Sequence, residues 1–285
     1  MKIEYTEDGR FVVTFRQSWL GDTALCLERG RRAIVEPEKR RTNDSAAIGT
    51  AVHAGIEAHL NGTDVAAAID GSWAALVAEG VTSTLGWTEQ AWRNESYALY
   101  WAWEKGILPH VTPVKYTEHS FDVPFYNTEV NGVDVEVRLS GTIDAVCEDG
   151  TLWDWKTAAR SYSEREKQNT AVQPTVYATA CSRLGLTEYP STFNFGVLIR
   201  EKHTPQVVSV TRSRNHEVWL GHMTEPLVRQ GILLGLDSPW PVNDTSALCS
   251  QKWCNWYEGC RGSALTTTDM YNGGIPTSNP KKKGK

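Results

Sequence analysis

Two aspartates and a lysine, Asp144, Asp154 and Lys156, flank an Asp149-Gly150 reversal in the stretch GTIDAVCEDGTLWDWK. These residue types suit phosphoryl chemistry: facing carboxylates hold a hard divalent cation, and an ammonium group beside them balances developing negative charge. Whether the two acids can meet depends on the turn. Val133, Val135, Val137, Leu139, Ile143 and Ala145 alternate with Asp134, Glu136, Arg138, Ser140 and Asp144, which is the period of a strand. On the return strand Leu152, Asp154 and Lys156 share one face, and Trp153 and Trp155 the other. A two-residue loop would set Asp144 opposite Trp155 and send the acids to opposite faces. A three-residue loop, Glu148-Asp149-Gly150 with Gly150 left-handed, sets Asp144 opposite Asp154 instead. The chemistry selects the three-residue loop, with both acids on the wet face of an amphipathic hairpin.

Other elements must carry this hairpin. Residues 48–60 predict a helix with Val52, Ile56 and Leu60 inward and His53 and Glu57 on the next stripe. Before it, a strand at 11–14 and a helix from Ser18 to about Arg29 lead into a basic run of Arg29, Arg31, Arg32, Lys39, Arg40 and Arg41. That run reads equally as a solvated loop or as a phosphate-contacting strip. Helices are expected at 65–79 and 84–105, and a strand at 115–126 that contains Glu118. After the hairpin, a helix over 164–184 sets Gln173 and Tyr177 one turn apart. Strands at 193–200 and 206–211 and a helix at 217–236 complete the pattern.

Three cysteines, Cys249, Cys254 and Cys260, fall close together in LCSQKWCNWYEGC, an incomplete metal site that needs a fourth ligand. Alternation places Cys147 on an apolar face, and Cys181 lies in an apolar stretch. Cys26 remains. Six cysteines without a signal peptide point to metal ligands or buried thiols in the cytosol rather than to disulfides. The net charge of −5 argues against wrapping long duplex DNA but not against a carboxylate-based nuclease. No phosphate-binding G-x-x-x-x-G-K-[ST] loop is present, which excludes an ATP-driven motor of that kind. No apolar run is long enough to span a bilayer. Residues 263–285, ending NPKKKGK, read as a disordered basic tail.

His53 in GTAVHAGIE, Asp144 in GTIDAV, the run Asp154-Trp155-Lys156, and Gln173 with Tyr177 in QPTVY occur in an order that resembles the RecB-like branch of PD-(D/E)XK nucleases. One early cysteine with a late triplet resembles that branch's iron–sulfur members, among them CRISPR-associated exonucleases and their phage relatives. The triplet opens with four residues between Cys249 and Cys254, where the family often has two, while its C-x5-C close fits. The resemblance implies an α/β fold like that of restriction endonucleases: a mixed central sheet flanked by helices, with a helical part (18–110), a catalytic core (115–236) and a cluster segment (239–262) pairing with Cys26. Together these make one nuclease domain over 1–262.

It further implies Mg²⁺ or Mn²⁺ on His53, Asp144, Asp154 and the Trp155 carbonyl, with Lys156 catalytic. Gln173 and Tyr177 would touch the substrate backbone or orient Lys156, Arg138 would bind substrate, and Glu57 and Glu118 would stand behind the ligands. Cys26, Cys249, Cys254 and Cys260 would hold a [4Fe–4S] cluster, or zinc as the alternative. The implied activity is exonucleolytic hydrolysis of single-stranded DNA ends, with a recombinase or CRISPR adaptation complex as partner. The alternatives are a non-catalytic accessory protein and a structure-selective endonuclease.

Overall fold

A computed structural model describes residues 1–40, 42–81, 83–245, 248–251 and 253–262. The chain forms two compact units, one of Met1–Gly21 with Thr42–Gly235, the other of Asp22–Arg41 with Leu236–Lys285. The tail expected at 263–285, and Arg41 of the basic run, lie outside the described residues.

The first unit is built on a mixed seven-stranded sheet: β1 (Lys2–Tyr5), β2 (Phe11–Arg16), β3 (Val114–Val130), β4 (Val133–Cys147), β5 (Leu152–Ala158), β6 (Ser191–Ile199) and β7 (Thr204–Arg212). β4 organises it. β3 runs antiparallel along one edge of β4, from Val114 opposite Cys147 to Val130 opposite Val133. The other edge is divided. β2 pairs with it in parallel from Val135 to Ser140, and β5 antiparallel at Ala145 and Val146. From Gly141 to Asp144 that edge has no strand partner among the described residues, and Asp144 sits at the end of this unpaired stretch.

The reversal between β4 and β5 is the three-residue loop. Cys147 N–H donates to Thr151 O (2.9 Å), Gly150 N–H donates to Cys147 O (3.0 Å), and Gly150 has φ +81. A left-handed residue there is cheap only for glycine. Ala145 opposite Trp153 is the register that one further step would extend to Asp144 opposite Asp154.

The helices are α1 (Gln17–Leu25), α2 (Leu27–Val35), α3 (Asp44–Leu60), α4 (Val65–Glu79), α5 (Glu89–Gly106), α6 (Glu164–Thr170), α7 (Val172–Arg183) and α8 (Arg214–Leu234). α3, α4 and α5 bury Ile48, Val52, Ile56, Trp73 and Trp103 against Ala145, Trp153 and Trp155 of the sheet. α7 packs near β3, β4, β6 and β7. Helices over both faces end the polar alternation of β4 after Thr142, and Asp144 and Asp154 are 8% and 1% exposed. The expected wet face is therefore a buried one.

Three expected helices begin or break elsewhere, each for a visible reason. α5 starts at Glu89, not residue 84, because Thr88 caps it, while the N–H groups of Thr84 and Leu85 donate to the buried Asp44 carboxylate. The helix expected at 164–184 breaks at Ala171, where Arg212 Nη2 donates to the carbonyls of Lys167 and Ala171 (3.1 and 3.0 Å). The helix expected from Ser18 breaks at Cys26, whose backbone is extended.

In the second unit the basic run is mostly helix rather than loop or phosphate strip. Arg31 and Arg32 are buried and ion-paired with Glu28, one turn back, at 2.7 Å each. Arg29 pairs with Asp22, and Lys39 with Glu36. Glu28 also accepts from Trp240 N–H (2.8 Å). Burial works to raise its pKa, but these hydrogen bonds outweigh burial and hold the carboxyl below its ordinary range.

Candidate active site

α3, β3, β4 and β5 bring His53, Glu118 and Asp144 together, with one ligand atom of each within 4.8 Å of the others. Asn43 caps α3 by accepting from Ala46 N–H (2.9 Å), which fixes where the helix starts. One turn before His53, Gly49 lets α3 approach β5. A Cβ there would lie 3.1 Å from Thr157 Oγ1. His53 Nε2 is 2.7 Å from the carbonyl of Trp155. A carbonyl only accepts, so Nε2 is the nitrogen that donates to it and Nδ1 is the one turned to the acids. That nitrogen is 3.4 Å from Asp144 Oδ2, which also accepts from Trp155 N–H (2.6 Å). The peptide groups on both sides of Trp155 are thereby tied into the site.

Glu118 is closer in than the sequence suggests. Its backbone has φ +45, a left-handed conformation rare for a residue with a Cβ. Thr117 faces Ala145 and His119 faces Ile143, so Glu118 lies level with Asp144. Burial, followed by repulsion from Asp144, Glu57 and Asp154, pushes its carboxyl up to about 7, against a smaller pull from Lys156. Strand alternation gives no sign of this, because the left-handed residue reverses the alternation locally.

Asp154 stands outside this set. Its Oδ1 accepts from Gln173 Nε2 (2.5 Å). Its buried Oδ2 is 2.5 Å from Lys156 Nζ but makes no hydrogen bond of proper angle among the described residues. Burial raises the Asp154 carboxyl, Lys156 pulls it down, and Asp144 raises it further, for a net rise. For Lys156 burial works downward, yet the charges of Asp154 and Asp144 prevail and its pKa rises. The ammonium stays protonated, which suits it to charge stabilisation rather than to work as a base.

Gln173 and Tyr177 lie one turn apart on α7 as expected, but on different partners. Tyr177 O–H donates to the Thr142 carbonyl (2.7 Å), on the unpaired stretch of β4, and Gln173 holds Asp154. Both are fixed on the acids and the strand rather than on Lys156. Glu57 joins His53, Glu118 and Lys156 in lining an open groove of about 540 Å³. Arg138 is not brought to the site. It lies six residues down β4 from Asp144, paired with Asp122 (2.6 Å) and Glu136 (2.5 Å).

The donor set fits a hard divalent cation. An imidazole nitrogen and two carboxyl groups converge, and the buried Asp154 carboxylate, paired with Lys156, stands alongside.

Within the second unit, Cys26, Cys249, Cys254 and Cys260 line one cavity with Leu25 and Trp256. Asn243 N–H points at Cys26 Sγ (3.4 Å). Trp256 is buried and donates to Glu36 O (3.1 Å), whereas Trp253 is 55% exposed. Cys147 and Cys181 belong to the first unit and are buried there, and burial raises both thiols.

The family profile described as "PD-(D/E)XK nuclease superfamily" matches residues 24–261. A crystal structure described as "Putative exonuclease" from Eubacterium rectale is similar in fold, with a TM-score of 0.52 and 10% identity over 84% of this chain and 86% of that one. A crystal structure of SSO0001 aligns over 81% of this chain and 79% of that one at 11% identity, but its TM-score of 0.34 carries no argument. Among curated proteins none matches significantly. No helix among the described residues is long and apolar enough to cross a membrane.

Proposed function

This chain belongs to the PD-(D/E)XK nuclease superfamily, and on that premise we propose that it is a Mg²⁺- or Mn²⁺-dependent deoxyribonuclease that degrades single-stranded DNA from its ends. The observation that carries the proposal is the convergence of His53, Glu118 and Asp144 beside the Asp154–Lys156 pair. A bound divalent ion would polarise the scissile phosphate and lower the pKa of a water.

The chain's own residues do the rest. His53 Nδ1, Asp144 and Glu118 supply ligands, and the Trp155 peptide holds His53 and Asp144 in register. Asp154 stands beside the set with one oxygen fixed by Gln173 and the other paired with Lys156. Lys156 faces the groove and offsets negative charge that builds on phosphorus, an electrostatic contribution present before the reaction begins.

The four cysteines that line the second unit's cavity would hold a [4Fe–4S] cluster as a structural staple. Four thiolates would also suit zinc, which remains the alternative. The Asn243 N–H at Cys26 Sγ is a donor to that sulfur.

Digestion of single strands and duplexes labelled at either end, with Mg²⁺, Mn²⁺ or EDTA, tests the proposal. Metal-dependent shortening of single strands from an end is expected. Internal cuts would make the protein an endonuclease, and binding without cleavage would make it an accessory factor.

A further inference from the structure

Tyr116 and His119 flank Glu118 on β3, and their placement is unusual. Residues three apart on a regular strand point to opposite faces. Here the two rings lie against each other, with centroids 4.8 Å apart and planes 32° from parallel. The left-handed backbone at Glu118 reverses the alternation between them. One distortion therefore does two things: it turns the Glu118 carboxylate toward His53 and Asp144, and it sets the imidazole beside the phenol. Strained backbone of this kind persists where the surrounding structure demands it.

Tyr116 is the exposed member of the pair, and His119 is half-buried. Tyr116 is 39% exposed, and Lys115 Nζ lies 5.4 Å from its ring centroid. β3 pairs only with β4 among the described residues, so its outer edge is uncovered by any strand. Its neighbours are small and polar: Thr117 bonds Asn61, and Ser120 bonds Thr142.

We infer that Tyr116 and His119, which flank Glu118 on β3, form a stacking platform for one unpaired nucleobase of the DNA strand, with Lys115 on an adjoining phosphate. The inference rests on the nuclease reading above and adds the subsite that selects single strands. A flat aromatic face held rigidly by a second ring binds any base, and it can do so only when the base is free of a duplex. A basic side chain over the ring places positive charge where the backbone of such a strand must pass.

The test measures binding by the full chain, with Ca²⁺ replacing Mg²⁺, to a labelled single-stranded oligothymidylate. An abasic residue is moved stepwise from one end. The wild type should lose about tenfold in affinity when the abasic residue occupies one particular position. Tyr116→Ala should bind the intact oligonucleotide about tenfold more weakly and be indifferent to the abasic residue. Tyr116→Trp should restore the discrimination and Tyr116→Leu should not, which separates stacking from any general effect on folding. Under cleavage conditions Tyr116→Ala should raise KM and leave kcat nearly unchanged. An abasic penalty that survives in Tyr116→Ala overturns the platform, as does wild-type binding with no abasic penalty at any position. In both cases cleavage persists and the nuclease reading stands. A wild type that binds no DNA at all overturns both.

Discussion

Replacing Glu118 with Gln should make the metal-free protein more stable at pH 8 while weakening its hold on a divalent ion. The side chain keeps its size and its left-handed backbone, so the substitution changes the charge and little else. Burial and the neighbouring acids raise Glu118 from 4.5 to about 7. A raised acid binds its proton more tightly in the folded chain than in the unfolded one. Its contribution to stability is thus full below about 4.5 and is lost as pH rises through about 7. At about 1.4 kcal/mol per pH unit the rise corresponds to roughly 3 kcal/mol, and screening at a partly exposed carboxyl reduces that to about 1.5 kcal/mol. Urea unfolding in EDTA should therefore show Glu118→Gln about 1.5 kcal/mol more stable than wild type at pH 8 and nearly equal at pH 4.5. With saturating Mg²⁺ the order should reverse, since the wild type gains the binding energy of a more complete ligand set. A variant less stable than wild type at pH 8 in EDTA would refute the argument that like charges strain this site.

Asp154→Asn and Lys156→Ala should each lower cleavage by about a hundredfold or more. Asn is the better probe at position 154, because Asp154 is 1% exposed and Ala would also leave a hole; near-normal turnover in either variant would move the protein to a binding role. Anaerobically purified protein should be brown with a band near ~400 nm. Ser at Cys26, Cys249, Cys254 or Cys260 should bleach it, Ser at Cys147 or Cys181 should not, and colourless protein carrying one zinc would reject the cluster. Gly196→Ala should destabilise by about 1–3 kcal/mol, because its Cβ would fall 2.6 Å from the buried Trp155 ring; an unchanged denaturation midpoint would mean that the ring can move aside.

The sequence by itself determined the elements whose signals are local. Alternation from Val133 to Ala145, the glycine at the hairpin loop and the helical spacing of Val52, Ile56 and Leu60 each specify a strand, a turn or a helix within a few residues. Turn length and alternation together were enough to set the hairpin register, Val146 opposite Leu152 and Ala145 opposite Trp153. Order along the chain pointed to His53, Gln173 and Tyr177. What the tertiary structure alone decided is burial, strand order and partner choice. No local pattern shows that a second helical layer would close over the hairpin's polar face, that β2 and β5 would divide one edge of β4, or that Arg31 and Arg32 would fold back onto Glu28 instead of facing phosphate. Glu118 is the clearest instance. Its place beside Asp144 depends on the register of β3 and on one left-handed residue, and both are set by packing around the residue rather than by its type.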